Sequence, residues 1–118
     1  MPLDPALEGE SFCYLTTVGR VTGRPREIEI WFALEGETLY MLSGGRDRSN
    51  WVRNLIREPA VTVRVGGEAF VGRARIVSPD TDEDELARRL LVDKYARGRE
   101  LDRWRRDGLP VAVDLQAD

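Results

Sequence analysis

The chain has 118 residues, a formal net charge of -3, 42% hydrophobic residues and 33% charged residues. This length favours one domain with a modest core, and the balance of apolar and charged residues excludes an intrinsically disordered chain. The small negative charge argues against nucleic-acid binding, and the lack of any histidine excludes an imidazole base or a histidine metal ligand.

The sequence also indicates where in the cell the protein is located. No apolar run reaches the roughly 20 residues of a membrane helix, and the N-terminus has no signal-peptide pattern. The sequence therefore predicts a cytoplasmic protein without an integral membrane segment. Cys13 is the only cysteine and lies between two aromatic residues, which predicts a buried, inert thiol. Lys94 is the only lysine, and so strong a preference for arginine is typical of a GC-rich genome.

After residues 1–10, which we expect to form a loose lead-in, runs rich in β-branched and aromatic residues predict about six strands. These strands cover residues 11–18, 27–34, 38–42, 60–65, 69–77 and 109–115. Glycines mark the connections between them. Residues 19–26 form a turn, Gly36 lies in a hairpin, and Gly66 with Gly67 forms a second tight hairpin.

Two helices follow from periodicity and from their end signals. Residues 50–58 form the first helix, which Pro59 ends. The second begins in the acidic run 82–85 and continues to about Tyr95. Acidic side chains at a helix N-terminus complement the helix dipole, so this run is predicted to be structural rather than metal-binding.

The end of the chain predicts a third, short helical segment. Gly98 is expected to break the second helix, and Gly108 is expected to end the third. Leu101 and Trp104 lie between these glycines, and we expect both to pack against the sheet.

Strands joined mainly by hairpins indicate the fold class. The sequence predicts an α+β domain that is mainly β, a small barrel of about six mostly antiparallel strands with a short inserted helix and a late helical segment. A parallel nucleotide-binding fold would need a helix between most strands, and the sequence lacks those helices. The whole chain is expected to form this single domain.

The loop after the strand 38–42 is the first candidate for a binding site. Ser43, Gly44 and Gly45 lead into Arg46 and Arg48, and Ser49 or Asn50 can then cap the following helix. Paired glycines allow close backbone approach, a helix N-terminus attracts anions, and guanidinium groups suit phosphate. The loop therefore predicts a site for a phosphorylated ligand. The alternative is an ordinary turn with solvated arginines.

Motifs along the first two thirds of the chain resemble the deazaflavin-dependent nitroreductase family. The residues that carry the resemblance are 15–26, Trp31, Phe32, Gly36, Leu39, Tyr40, 43–45, Asn50, Trp51, Asn54, Leu55, Pro59 and 61–63. The resemblance implies the split β-barrel fold, which pyridoxamine-phosphate oxidases and flavin reductases share. It also implies hydride transfer from reduced coenzyme F-420, a deazaflavin, to a small-molecule acceptor such as a quinone, a nitroaromatic or an activated alkene.

The resemblance further implies which residues bind the cofactor. Arginines of the 19–26 turn would lie near the coenzyme phosphate or its glutamate tail, the 43–45 loop and the 28–31 strand along the ring, and the inserted helix would close the phosphate pocket. The implied cofactor-binding residues are Arg20, Arg24, Pro25, Arg26, Ile28, Ile30, Trp31, Ser43, Gly44, Gly45, Arg46, Arg48, Asn50, Trp51 and Asn54.

Two side chains are candidates for a direct part in the reaction. The Ser43 hydroxyl could bond the ring or help deliver a proton, or it could simply cap its own loop. Tyr95 lies in a region where relatives place aromatic residues that face the substrate, which implies a role on the acceptor side.

One departure from the family pattern keeps other functions open. Many members have a lysine between the serine and the paired glycines, whereas here Ser43 directly precedes Gly44. Arg46 or Arg48 could supply the missing charge. The alternatives are an FMN-binding reductase on the same fold and a non-catalytic carrier of F-420 or flavin. The resemblance also implies a possible homodimer with the cofactor near the interface.

Overall fold

In the computed structural model, which describes residues 3–96 and 101–116, a curled antiparallel sheet of seven strands is combined with three α-helices. The strands are β1 (Cys13–Val18), β2 (Pro25–Ile30), β3 (Ala33–Glu35), β4 (Thr38–Ser43), β5 (Ala60–Val65), β6 (Glu68–Ile76) and β7 (Leu109–Leu115). The helices are α1 (Asn50–Arg57), α2 (Asp82–Tyr95) and α3 (Asp102–Asp107). Across the sheet the strands follow the order β2-β1-β5-β6-β7-β4-β3.

The antiparallel, mainly β fold class is confirmed, but the predicted strand at 27–34 was wrong. Those residues form two strands at opposite edges of the sheet, because β2 pairs with β1 whereas β3 pairs with β4. Trp31 and Phe32 lie at the break, and Phe32 is completely buried. A continuous apolar run does not reveal such a break, so the structure has seven strands rather than about six.

The main core lies on the inner face of the sheet. Alternation along β1 and β5 directs Leu15 and Val63 inward, where they meet Val52 and Leu55 of α1. Leu7 of a 3-10 helix, Pro5–Gly9, joins the same cluster. Leu7 therefore packs against the core, within the segment that the sequence suggested would form a loose lead-in.

A second apolar cluster lies on the outer face and covers only half of it. There α2 packs Leu91 and Tyr95 against Tyr40 and Ala112 of the sheet. Leu101 and Trp104 pack on this cluster as predicted. Over the other half, formed by β2, β1, β5 and β6, outward residues such as Val71 are exposed.

The predicted bounds of the first two helices agree with the structure. Glu58 follows α1 as its cap residue, and Thr81 accepts a hydrogen bond from the backbone N–H of Asp84 at the start of α2. The predicted break at Gly98 lies outside the described residues. Among the residues that are described, no helix is long and apolar enough to cross a bilayer.

The acidic start of α2 is anchored to the sheet. Arg75 donates to both carboxylate oxygens of Glu83, at 2.6 and 2.7 Å, and also to Asp114. The Tyr40 hydroxyl donates to Glu83 as well, at 2.7 Å. These bonds, those from Arg75 first, lower the pKa of Glu83 from its ordinary 4.5 to about 2. The acidic run is thus structural in this part, as predicted.

This anchor predicts how stability depends on pH. Because the pKa of Glu83 is depressed in the folded state, its contribution is complete above pH 4.5 and is lost as pH falls towards 2. We expect Glu83→Gln to destabilise the protein by only about 1 kcal/mol at neutral pH, because solvent screens this partly exposed ion pair. The variant should also lose less stability than the wild type as pH falls from 4.5 to 2, because it has no carboxylate to protonate at this position. Urea unfolding at several pH values measures this. The exposed Glu85→Gln serves as control, and an unchanged profile in Glu83→Gln would contradict the expectation.

Candidate functional site

A groove of about 570 Å³ lies between the β1–β2 hairpin and the N-terminal half of α1. Its lining residues are Thr17, Gly19, Arg20, Val21, Thr22, Pro25, Arg26, Glu27, Ile28, Asn50, Trp51 and Asn54. The hairpin is closed by backbone bonds from Gly19 to Arg24 and from Gly23 to Gly19, both at 2.8 Å, and Gly23 has the positive φ of 74° that favours glycine. The groove therefore combines a fixed turn with a helix face.

Arg20 is held rigidly within this groove. Its Nη1 donates to Asn54 Oδ1 at 2.9 Å and to the Asn50 carbonyl at 3.4 Å, and its Nη2 donates to Asn50 Oδ1 at 3.1 Å. A guanidinium has five N–H donors, so these contacts leave the Nε–H and one Nη2 hydrogen without a partner among the described residues. The contacts to Asn50 and Asn54 therefore fix the guanidinium without using all of its donors.

Asn54 is a buried residue of α1 that supports the groove through hydrogen bonds. Although polar, it is 4% exposed, and its Oδ1 also accepts the backbone N–H of Arg20 at 3.2 Å. Its Nδ2 donates to the Thr17 hydroxyl, likewise at 3.2 Å. A buried amide must satisfy its donors and acceptors internally, and Asn54 does so by tying the hairpin to α1. It supports the Arg20 side chain directly.

The glycine loop is arranged differently from the groove. The Ser43 hydroxyl donates to the Arg46 carbonyl at 2.9 Å, lies 2.8 Å from Ser49 Oγ, and is almost fully buried. Ser49 occupies the cap position of α1 but makes no side-chain bond to that helix. Arg46 has a positive φ of 55°, and its guanidinium donates to the Asp107 carbonyl at 2.8 Å. One nitrogen of the Arg46 guanidinium is thus bonded to the end of α3.

A second pocket, of about 310 Å³, lies between the N-terminal segment and the end of α2. It is lined by three aromatic residues, Phe12, Trp31 and Tyr95, and by Lys94 and residues 9–11. The Trp31 and Tyr95 rings are stacked, with centroids 4.3 Å apart and planes 1° from parallel. We call this second pocket the aromatic pocket, and its volume lies at the lower end of the range of small-molecule sites.

The Tyr95 hydroxyl faces the backbone. It accepts the Phe32 N–H at 3.0 Å and lies at hydrogen-bond distance, also 3.0 Å, from the carbonyls of Phe32 and Ser11. Burial raises the pKa of Tyr95 to about 12, so the hydroxyl stays protonated at neutral pH. It fixes the chain where the β2 and β3 segments separate.

Lys94, which is partly buried, and Cys13, which is buried, are two further titratable groups near Tyr95. Lys94 Nζ lies 3.2 Å from Glu8 Oε1 and 3.7 Å from the centre of the Phe32 ring. Burial lowers the pKa of Lys94, and Glu8 opposes that shift. Burial raises the pKa of the Cys13 thiol to about 12, which agrees with the predicted inert thiol.

The structure separates the predicted site residues into groups. Those that line the groove are Arg20, Pro25, Arg26, Ile28, Asn50, Trp51 and Asn54. The loop holds Ser43, Gly44, Gly45, Arg46 and Arg48, whereas Trp31 and Tyr95 lie in the aromatic pocket. Arg24 is exposed on the hairpin turn, and Ile30 packs towards the core. Their roles towards a ligand stay predictions.

Several lining residues were not singled out from the sequence. Thr17, Gly19, Val21 and Thr22 line the groove although they were treated only as part of a motif. Their position on the hairpin beside Arg20 was the available signal. Lys94 could not have been placed, because its proximity to the aromatic pocket depends on how α2 packs on the sheet.

The model of the F-420H2-dependent quinone reductase family matches residues 4–116. None of the curated proteins is similar enough in sequence to count as a match.

Solved structures share the fold. One, described as an F-420 reductase, is 25% identical with a TM-score of 0.67, over 94% of this chain and 90% of the other. An F-420H2-dependent reductase is 24% identical with a TM-score of 0.70, over 87% and 93%. The haem storage protein HutZ from Vibrio cholerae is 17% identical with a TM-score of 0.76, over 100% and 93%.

Proposed function

The chain belongs to the F-420H2-dependent quinone reductase family, a family of oxidoreductases, and on that premise we propose that it transfers a hydride from reduced F-420 to a small organic acceptor. The acceptor classes that we propose are quinones, nitroaromatics and activated alkenes. We also propose that the chain forms a homodimer.

The observation that carries this proposal is the held guanidinium of Arg20. Two of its donors are available to a ligand while three contacts to Asn50 and Asn54 fix its position. A preorganised fork of this kind suits a phosphate or carboxylate, and F-420 carries both. Arg26 lines the same groove and adds a second positive charge.

The other groove residues fit the rest of the coenzyme. Ile28 and Trp51 supply apolar surface beside the polar end formed by Arg20, Asn50 and Asn54. When bound, the deazaflavin supplies the hydride, so the protein needs to supply binding, orientation and exclusion of water. This division of labour explains how a chain without histidine can support the chemistry.

We propose that the aromatic pocket takes part in binding the acceptor. The Trp31–Tyr95 stack offers a flat apolar wall, which suits electron-poor rings. Under this proposal the Tyr95 ring faces the acceptor, and its hydroxyl keeps the backbone at Phe32 in place. A role of Ser43 in proton delivery stays a prediction, since its hydroxyl already bonds within the loop.

Turnover tests the proposed reaction. Mixing the protein with reduced F-420 and a quinone or a nitroaromatic should reoxidise the coenzyme at a rate proportional to protein concentration. Heat-denatured protein serves as the blank. Binding of F-420 without reoxidation by any of the three acceptor classes would instead support a carrier.

Tyr95→Phe removes the hydroxyl of Tyr95 and keeps its ring, so it tests what the hydroxyl contributes. We expect a loss of about 1–3 kcal/mol in stability, because the buried Phe32 N–H loses its acceptor. We also expect turnover to fall several-fold, because the stacked wall of the pocket shifts. Urea unfolding and turnover of the folded fraction measure the two effects. Unchanged turnover with every acceptor would remove Tyr95 from the acceptor side.

A further inference from the structure

Three charged side chains lie in or beside the aromatic pocket. Lys94 and Glu10 line it, and Glu8 contacts Lys94 from the 3-10 helix at the start of the chain. The Lys94 Nζ lies 5.4 Å from the centre of the Tyr95 ring, which forms one wall of the pocket. With Lys94 protonated, the three groups carry one positive and two negative charges. The charge that a ligand meets in the pocket therefore depends on how Lys94 is paired.

The charge of Lys94 is compensated within the protein. Its Nζ is buried, and it lies 3.2 Å from Glu8 Oε1 and 3.7 Å from the centre of the Phe32 ring. A carboxylate and the face of an aromatic ring both attract a cation. Glu8 therefore takes the place from which the carboxylate of a ligand would pair with Lys94.

Glu8 is held in this place by its second carboxylate oxygen. Oε2 accepts the backbone N–H of Leu34 in β3, and the preceding residue, Leu7, is packed in the main core. The Lys94 side chain is 15% exposed, so solvent screens this pair less than it screens a surface ion pair. The contact between Glu8 and Lys94 is therefore a fixed part of the pocket.

We propose that Glu8, by pairing with Lys94, makes the aromatic pocket select uncharged planar acceptors over planar acceptors that carry a carboxylate. The cation that would attract such a carboxylate is already paired with Glu8, and Glu10 in the pocket wall repels it. Glu8 acts through Lys94, so it is a positioning residue that determines specificity. The inference rests on the proposed function, because it takes this pocket as the acceptor site.

Two nitroaromatic probes test the preference, because para-nitrobenzamide and para-nitrobenzoate have nearly the same size and shape and differ in charge. The wild-type protein should bind the uncharged amide about tenfold or more tightly than the carboxylate. Quenching of tryptophan fluorescence measures this binding without any coenzyme, since Trp31 lies in the pocket. With reduced F-420 present, the KM values of the two acceptors should follow the same order. Tighter or equal binding of the carboxylate would overturn the proposal.

Glu8→Gln removes the charge of Glu8, while its amide oxygen can still accept the N–H of Leu34. We expect affinity for para-nitrobenzoate to rise about tenfold, because the carboxylate of the probe then pairs with Lys94. Affinity for para-nitrobenzamide should change less than about twofold. Glu85→Gln, which removes an exposed carboxylate near the other end of α2, is the matched control and should behave like the wild type. Equal changes for both probes in Glu8→Gln would show that Glu8 only shapes the segment, and would overturn the proposal.

Lys94→Met in the Glu8→Gln background identifies the cation that attracts the carboxylate. Methionine keeps an unbranched side chain without the charge, so the double variant should lose the affinity for para-nitrobenzoate that Glu8→Gln gained. A double variant that keeps the gain would overturn the part assigned to Lys94. The two proposals fail differently. The expected preference in binding without reoxidation of F-420 would count against the proposed function alone, whereas turnover of both probes with equal KM would count against this inference alone.

Discussion

Arg20→Ala is expected to weaken the binding of F-420 by about 10- to 100-fold, which is the effect of losing one charge-assisted contact to an anion. The reason is that Arg20 lines the groove in a fixed position and has two donors without a partner among the described residues. Fluorescence titration of the variant with F-420 measures the loss. The fold should persist, since the Arg20 side chain is not part of either core cluster.

Two further variants make the Arg20 result specific. Arg20→Lys keeps the charge but cannot hold the fork on Asn50 and Asn54, so its affinity should lie between those of the wild type and Arg20→Ala. Arg89→Ala removes an exposed arginine from α2 and should bind like the wild type. Equal affinity of Arg20→Ala and Arg89→Ala would show that the anion binds elsewhere.

Phe32→Ala is expected to produce the largest loss of stability, about 3–5 kcal/mol. Phe32 is fully buried at the break between β2 and β3, and Lys94 lies 3.7 Å from the centre of its ring. Removing the ring leaves a cavity in the core, and the Lys94 ammonium loses its contact with the aromatic ring. The midpoint of urea unfolding, with its slope, measures the effect.

The same residue type offers a control for Phe32. Phe12 is 43% exposed, and Phe12→Ala should cost less than about 1 kcal/mol. If Phe32→Ala does not fold, Phe32→Leu keeps most of the volume and should still cost about 1 kcal/mol. Comparable losses in Phe12→Ala and Phe32→Ala would contradict the placement of Phe32 in the core.

Local sequence signals were sufficient for much of the fold. Gly66 and Gly67 have φ values of 57° and 84°, which are the two positive values that a tight hairpin requires, and glycine supplies them without strain. Alternation along β5 likewise placed Val61, Val63 and Val65 on the buried face. Signals of this kind depend on neighbouring residues alone, so they can be read without knowing the tertiary structure.

Long-range packing explains what the sequence did not reveal. The break after β2 depends on Tyr95, 63 positions later, which bonds the backbone of Phe32. The direction of Arg46 depends on the carbonyl of Asp107 at the end of α3, 61 positions away. Arg46 was expected to supply ligand charge, and this stays a prediction, because the bonds to α3 and to the residue after it use only the Nη1 of its guanidinium. Only the assembled chain brings such partners together.

The groove could be predicted only in part, because its residues come from sequence motifs but its hydrogen bonds are long-range. Arg20, Asn50 and Asn54 belong to motifs that the sequence displays, but their hydrogen bonds join residues 30 and 34 positions apart. The motif indicated which residues matter, and the fold shows that Asn54 holds Arg20 from a buried position.

Titration of the purified protein with F-420 and, separately, with FMN tests the central claim most directly. We expect F-420 to bind with a saturable change in fluorescence, and we expect this binding to weaken in Arg20→Ala but not in Arg89→Ala. FMN should bind more weakly than F-420. Tighter binding of FMN, or no saturable binding of F-420, would contradict the claim that this groove holds the deazaflavin coenzyme.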